Sequence, residues 1–423
     1  MKEYSREFAE NSDNQDILKG FRSRFRIPVI NGKEVVYLCG NSLGLQPVSV
    51  KEYIGRELDD WADLAVEGHT RASNPWVYYH KFLQPLISEI AGAKPGEAVV
   101  ANSLTVNLHL MLTTFYRPKG KKIRILVEHK PFSSDWYAFE SQARLHGYHP
   151  DEVITELVPE NDRAYISTEQ IVKKIGELKD ELALVLIGGV NYFNGQVFDL
   201  KTITAAAHRH NIPAGFDLAH AIGNIPMHLH DWGVDFAVWC SYKYLNSGPG
   251  GTGGYFVHEK HAADKSLPRL AGWWGHNEEE RFQMNKGFDA IPTAEGWQLS
   301  NAPVISMAAQ WASLEVFRAA GMENLRAKSI QLTGFLENLL NQVITENSLE
   351  GRVQVLTPAN PEERGCQISV RIISGSQEIY QKIKDAGFII DFRSPDVIRV
   401  TPVPLYNSFR DVWDFAQFFK SLF

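Results

Sequence analysis

Lys243 stands between two tyrosines in Ser241-Tyr242-Lys243-Tyr244-Leu245, just after the apolar run Phe236-Ala-Val-Trp239 and just before a glycine-rich stretch. Asp217-Leu-Ala-His220 lies upstream, its aspartate 26 residues before the lysine. A lysine amine can form a Schiff base with an aldehyde. A carboxylate one strand away can keep a pyridine nitrogen protonated, which makes pyridoxal phosphate an electron sink. Each piece also has a plain reading, since a lone lysine is usually a surface residue and an aspartate at a strand end usually a cap or turn. Two further junctions join them. Asn102-Ser103-Leu104-Thr105-Val106-Asn107 falls between a strand and a helix, where free N–H groups and the positive dipole end favour a phosphate. Thr105 there can donate its hydroxyl or simply cap the helix. Phe132-Ser133-Ser134-Asp135 offers an aromatic ring to stack on a pyridine and an aspartate that caps the helix or reaches the ring oxygen. All four places are expected at the carboxyl ends of strands, where open α/β sheets bind ligands.

The elements that must hold these residues alternate. Apolar runs at 98–100, 123–127, 182–187, 212–216, 236–239 and 254–257 read as buried strands, with helical patterns at 105–116, 134–147, 167–178 and 200–210. That alternation predicts an α/β fold, a mostly parallel sheet between two layers of helices. An arm of short elements covers residues 1–50, with a strand at 35–39. The large domain then runs from 51 to 304 and a smaller α+β domain from 305 to 423. The latter has long helices at 305–320 and 322–346, strand-like runs at 366–373, 388–392 and 397–400, and a last helix near 408–422.

Three tempting motifs carry less. Gly40-Asn-Ser42-Leu-Gly44 spells a hydrolase nucleophile elbow, but Leu45-Gln46-Pro47 follows where a helix should start. Gly248-Pro-Gly250-Gly-Thr-Gly253 spells a dinucleotide fingerprint, but a strand follows it instead of a helix, so these glycines read as a tight turn beside a cofactor. The pairs His208/His210 and His228/His230 have no clustered third ligand in sequence and read as surface and packing residues, with no metal expected. A net charge of -7 and no basic cluster argue against nucleic acid. No apolar run is long enough for a membrane span. Cys39, Cys240 and Cys366 are far apart, which suggests a reducing cytoplasm.

Over nearly its whole length the chain resembles kynureninase, a family within fold type I of the pyridoxal-phosphate enzymes. The resemblance is carried by Leu38-Cys-Gly-Asn-Ser-Leu-Gly-Leu-Gln-Pro47, Asn102-Ser-Leu-Thr-Val-Asn107, Gly215-Phe-Asp-Leu-Ala-His-Ala-Ile-Gly-Asn224 and His230-Asp-Trp-Gly-Val-Asp235. It continues in Trp239-Cys-Ser-Tyr-Lys-Tyr-Leu-Asn246, Gly272-Trp-Trp-Gly-His276 and Arg399-Val-Thr-Pro-Val-Pro-Leu-Tyr-Asn407. The resemblance implies a seven-stranded sheet, a homodimer with shared active sites, and a place in tryptophan catabolism and NAD biosynthesis. The implied reaction is hydrolytic Cβ–Cγ cleavage of 3-hydroxy-L-kynurenine, L-kynurenine or both, giving L-alanine and the matching anthranilate.

Residue by residue, Lys243 resembles the Schiff-base lysine, Asp217 the partner of the pyridine nitrogen, His220 the cofactor-orienting histidine and Phe132 the stacking ring. Leu104, Thr105, Ser133, Ser134, Asp135 and Tyr242 match further cofactor contacts. Tyr242, placed on the phosphate by this match, is also the nominee for proton transfer at the substrate carbonyl. Trp273 and Asn301 match positions supplied by the neighbouring subunit. Arg399 resembles the arginine that grips the substrate carboxylate. Ser42, His69, Ser300 and Asn301 match the substrate pocket in its eukaryotic-type form, which implies a preference for the hydroxylated substrate. The rivals are another fold type I enzyme, either an aminotransferase or a cysteine desulfurase using Cys366, and a non-catalytic protein of the same fold. Cys366 opens an apolar strand and reads as packing, and a scaffold would have no use for Lys243, Asp217 and Arg399 together.

Overall fold

The structure is a computed structural model that describes residues 4–160 and 165–423. The first three residues of the arm therefore lie outside the described residues. Seven strands form the large sheet: β1 (Ala98–Val100), β2 (Arg124–Val127), β3 (Ile154–Glu156), β4 (Leu182–Gly188), β5 (Ala214–Asp217), β6 (Phe236–Trp239) and β7 (Gly254–Val257). Their order is β1-β7-β6-β5-β4-β2-β3. Only β7 runs against its neighbours; the pairings from β6 through to β3 are parallel. Every residue of β4 is buried, as a strand covered on both faces requires. In β6 the side chains alternate between the two faces: Ala237 and Trp239 join one core, Phe236 and Val238 the other. The short edge strand β3 had no counterpart among the apolar runs of the sequence.

Helix α1 (Leu104–Phe115) follows β1 and helix α2 (Ser133–Leu145) follows β2, so both begin at the carboxyl ends of their strands. A second sheet of four strands, β8 (Val353–Val355), β9 (Ile368–Ile372), β10 (Asp391–Arg393) and β11 (Val397–Val400), is antiparallel in the order β8-β9-β11-β10. The long helices Val304–Ala320 and Met322–Glu346 precede it, separated by Gly321 at φ 74°. Val36–Tyr37 pairs in parallel with Phe388–Ile389, and Ala9 packs into the core under the small sheet. The Asp13 carboxylate accepts from the backbone N–H groups of Phe409 (2.7 Å) and Arg410 (3.0 Å), capping the last helix from outside. The segment before residue 50 is thus bound into the C-terminal part of the fold. No helix among the described residues is long and apolar enough to cross a membrane.

At the amino ends of the strands, opposite the junctions singled out above, Asp235 acts as a pin. Its carboxylate accepts from His208 (2.8 Å), His261 (2.7 Å) and the Ala214 amide (2.7 Å) and pairs with Lys260 (2.7 Å). Burial by itself would raise its pKa, but the hydrogen bonds from His208 and His261 and the charge of Lys260 outweigh it and hold the carboxyl far below its ordinary range. Its stabilisation is therefore present above the unfolded carboxyl pKa and is lost only as pH falls through the lower folded value. Asp235→Ala should cost about 2–4 kcal/mol at pH 7, read as a lowered Tm, with the deficit shrinking below about pH 4. A Tm unchanged at pH 7 would show that the pin contributes nothing.

Candidate active site

Lys243 is the fourth residue of the loop that leaves β6, and several bonds fix that loop. Ser241 Oγ lies 2.6 Å from Ser247 Oγ and donates to the Thr252 carbonyl; the Thr252 amide in turn donates to Ser306 Oγ (3.0 Å). The Gly44 amide donates to the Tyr242 carbonyl (2.8 Å). A Cβ at Gly44 would fall 2.4 Å from the Lys243 carbonyl and 2.2 Å from Asn246 Oδ1, so only glycine lets the Ser42 segment lie against the lysine loop. That contact explains the Gly40–Gly44 motif without any nucleophile elbow. Lys243 Nζ is 3.0 Å from His220 Nε2 and 5.8 Å from the centre of the Phe132 ring. Burial, then the charges of Lys243, Arg399 and Arg393, push the His220 pKa well down. The imidazole is therefore neutral, and Nε2 accepts from the lysine.

The four junctions meet in one cleft, lined by Leu104, Thr105, Phe132, Ser134, Asp135, Asp217, Ala219, His220, Tyr242 and Lys243. The start of α1 has free first-turn amides, since its first internal bond runs from Asn107 N to Ser103 O (3.0 Å). Thr105 is not the cap: Ser103 holds the N-cap position, and the Thr105 hydroxyl is 2.7 Å from Ser134 Oγ, joining the starts of α1 and α2. A Cβ at Gly253 would crowd the Leu104 amide at 3.1 Å, so the glycine-rich loop leaves that helix end open. β7 does follow this loop, as the strand pattern required.

Asp135 is not a helix cap either. Phe132 holds that position, and Asp135 turns inward, buried, to hydrogen-bond with Asp217. Burial, the Asp217 charge and that hydrogen bond push Asp135 well above the usual carboxylate range. Burial also raises Asp217, while the bonds from Asp135 and the Ala219 amide (2.7 Å) work the other way. Asp135 therefore holds the shared proton, and Asp217 remains the acceptor. Asp135 Oδ1 and His220 Nδ1 are buried without partners. An open helix start, an acceptor carboxylate, a stacking ring and these orphaned polar atoms fit the phosphate and the pyridine of pyridoxal phosphate.

Other expected residues lie apart from this cleft. His69, Trp273, Ser300 and Asn301 are exposed and do not line it; His69 packs edge-on against Trp76 (5.4 Å), and Trp273 Nε1 donates to the Arg281 carbonyl (2.9 Å). Trp273 and the Ser300–Asn301 pair are neighbours, because the Trp274 amide donates to the Leu299 carbonyl (3.3 Å). Ser42 and Ser133 are also exposed. Arg399 is fully buried, with Nη1 donating to the Tyr192 carbonyl (2.6 Å). Cys366 is 1% exposed and its thiol is pushed up to about 11 by burial, so it is neither mobile nor reactive. The histidine pairs divide: His208 serves Asp235, His228 packs against Trp232, and His230 binds Glu97 (2.9 Å). Glu97, His230 and His258 do gather within 4.8 Å, but both Glu97 oxygens already accept backbone amides, from Glu259 and Lys94.

Several residues of the cleft escaped the sequence reading, Tyr192 and Glu128 among them. Tyr192 lies edge-on to Phe132 (5.3 Å). Glu128, the residue after β2, is a third buried carboxyl beside Asp135 and Asp217, accepting from the Gly188 amide (2.9 Å). A carboxylate directly after the apolar run 123–127 was the available signal. Burial, aided by the Asp217 charge and opposed by the Gly188 bond, pushes Glu128 up to about 7. A carboxyl raised from about 4.3 in the unfolded chain favours folding while protonated, so stability falls as pH rises through this window and levels off above it. Glu128→Gln should therefore gain on the cofactor-free parent by about 2 kcal/mol between pH 5 and pH 8, measured by denaturant unfolding at both values. A gap independent of pH would contradict this.

The comparisons agree with the geometry. The Kynureninase C-terminal domain family matches residues 325–419. The chain is 51% identical to the kynureninase of Flavobacterium psychrophilum over 415 residues, covering 98% of this chain and 97% of that one. It is 52% identical to that of Myxococcus xanthus over 416 residues (98% and 96%) and 46% identical to that of Nematostella vectensis over 437 residues (99% and 94%). Among solved structures, a cysteine desulfurase from Thermococcus onnurineus superposes with a TM-score of 0.77 at 16% identity, covering 96% of this chain and 97% of that one. A C-DES variant carrying glycine linked to its pyridoxal-phosphate cofactor superposes at 0.74 and 17% identity (91% and 96%). At those identities the structures speak for the fold, which is that of the fold type I pyridoxal-phosphate enzymes. The sequence matches, about half identical over nearly the full length of both chains, decide the family: this chain belongs to the kynureninases.

Proposed function

We propose that the Lys243 cleft carries out hydrolytic Cβ–Cγ cleavage of 3-hydroxy-L-kynurenine in preference to L-kynurenine, releasing L-alanine and the corresponding anthranilate. The observation that carries this reading is the placement of Lys243 and Asp217 around one cleft, with the Lys243 amine 3.0 Å from a neutral imidazole. Pyridoxal phosphate supplies the electron sink that makes an acidic Cα–H and a cleavable Cβ–Cγ bond. The protein does the rest. Free amides at the start of α1, with Thr105 and Ser134, bind the phosphate, and Phe132 covers the ring. Asp217 accepts from the pyridine nitrogen while Asp135 retains the proton the pair shares. Lys243 would hold the aldehyde group and, as a free amine beside the bound substrate, would move the proton at Cα. His220 stays neutral beside it, and burial with the neighbouring positive charges makes it too weak a base to take that proton from the lysine.

Arg399 grips the substrate carboxylate. Tyr242 gives a proton to the aryl ketone oxygen and takes one back as water adds. Burial and its hydrogen bond with Cys240 raise its pKa, so the phenol is intact at neutral pH and able to donate. The chain works as a homodimer in which Trp273 and Asn301 complete the partner's cleft. Trp273 is 45% exposed and the adjoining Phe282 63% exposed, an apolar edge suited to a second copy. His69, Ser300 and Asn301 read the ring hydroxyl.

Product analysis on holoenzyme given each substrate separately tests the reading. Alanine and the matching anthranilate should appear, with kcat/KM at least about tenfold higher for the hydroxylated substrate. A preference for plain kynurenine would refute the assignment of the pocket, and absence of both products would refute the reaction. Lys243→Ala should lower kcat by about a thousandfold or more. Mixed dimers of Lys243→Ala with Asn301→Ala should regain about half the parent activity, because one of their two sites is whole. No gain on mixing would show that the sites are not shared.

A further inference from the structure

Arg399 does not hang free at the edge of its sheet. It sits in β11 directly opposite Asp391 of β10, and its Nη2 pairs with that carboxylate while Nη1 is held by the Tyr192 carbonyl at 2.6 Å. Arg393, two residues along β10 on the same face, turns its guanidinium to the same carboxylate, with both Nη2 and Nε at 3.3 Å. One carboxylate therefore stands between two guanidiniums. Arg399 is 0% exposed, yet its Nε has no partner. Both arginines adjoin the cleft through Tyr192: its carbonyl holds Arg399, and its ring lies 6.0 Å beneath the guanidinium of Arg393.

From this arrangement we infer that Asp391 is a positioning residue for carboxylate recognition, holding the Arg399 fork by one edge so that its unpaired N–H groups face the substrate carboxylate. The inference rests on Arg399 being the carboxylate grip of the proposed function. An arginine carries much side-chain freedom, and fixing it beforehand removes that cost from binding. Two guanidiniums side by side, one fully buried and one half-buried, also repel unless a counter-charge sits between them. Asp391 meets both needs, and its position is fixed by strand register and not by a mobile loop. The triad of two arginines and one aspartate has a net charge of +1, which matches one carboxylate per substrate and disfavours a dicarboxylate.

Steady-state kinetics on holoenzyme with Asp391→Ala, Asp391→Asn and Arg399→Lys test this, alongside inhibition constants for L-alanine and L-alaninamide. Asp391→Ala should raise KM by about tenfold or more while kcat changes by less than about threefold. It should also shrink the preference for alanine over its amide by at least about fivefold. Asp391→Asn keeps an oxygen facing Arg399 and should recover part of both losses. If Asp391→Ala fails to fold, judged by cofactor absorbance, Asp391→Asn decides alone, with KM raised about threefold or left at the parent value. Parent-like KM and amide discrimination in the Asp391 variants, with both lost in Arg399→Lys, would overturn the role of Asp391 and leave Arg399 as the grip. Parent-like values in Arg399→Lys as well would show that the carboxylate is held elsewhere, and the assignment of Arg399 would fall first.

Discussion

Three carboxyls, Glu128, Asp135 and Asp217, are buried together at the carboxyl ends of β2 and β5 and the start of α2, and the site depends on how they divide their protons. Three negative charges cannot coexist there: in a low dielectric their repulsion and lost hydration each outweigh what any fold gains from them. Geometry resolves the conflict. Asp217 receives hydrogen bonds from Asp135 and from the Ala219 amide, whereas Glu128 is held by backbone amides, Gly188's among them, and remains raised to about 7 by burial, and Asp135 has an unpaired oxygen. The negative charge therefore concentrates on Asp217, the carboxylate proposed as partner for a protonated pyridine. The cost of burying it is offset when that cation arrives, so cofactor and carboxyl cluster stabilise each other.

The architecture serves this arrangement by separating stability from chemistry. At the amino ends of β5 and β6, both oxygens of Asp235 are engaged by two histidines, a lysine and an amide. At the opposite ends of the same strands the polar groups are under-satisfied, with orphaned atoms on Asp135 and His220. The small sheet adds a second fixed charge array through Asp391, Arg393 and Arg399. The Ser42 segment, bound to the lysine loop through Gly44 and to Phe388–Ile389 through Val36–Tyr37, links the two parts.

Much of this was legible in the sequence because the strands of the large sheet are apolar on both faces. Runs such as 182–187 stand out, and the residues just beyond them fall at the carboxyl ends by necessity. What stayed hidden had a physical reason. β3 is three residues long and lies at an edge, so it carries no run to notice. Thr105 and Asp135 sit where helix caps are common, and only the observed backbone shows Ser103 and Phe132 in those positions. Glu128 and Asp391 act through contacts between strands distant in sequence, which local pattern cannot reveal. The Asp235 motif was legible as a resemblance, whereas its role as a pin required the three elements it joins.

The central claim is that Asp217 bears the charge that the cofactor nitrogen needs. Single-turnover release of alanine from 3-hydroxy-L-kynurenine by Asp217→Asn holoenzyme tests it most directly, with cofactor absorbance confirming attachment to Lys243. The account predicts that attachment survives while alanine release slows by at least about a hundredfold, because the asparagine amide cannot hold the ring nitrogen protonated. Release at the parent rate from cofactor-loaded Asp217→Asn would contradict it.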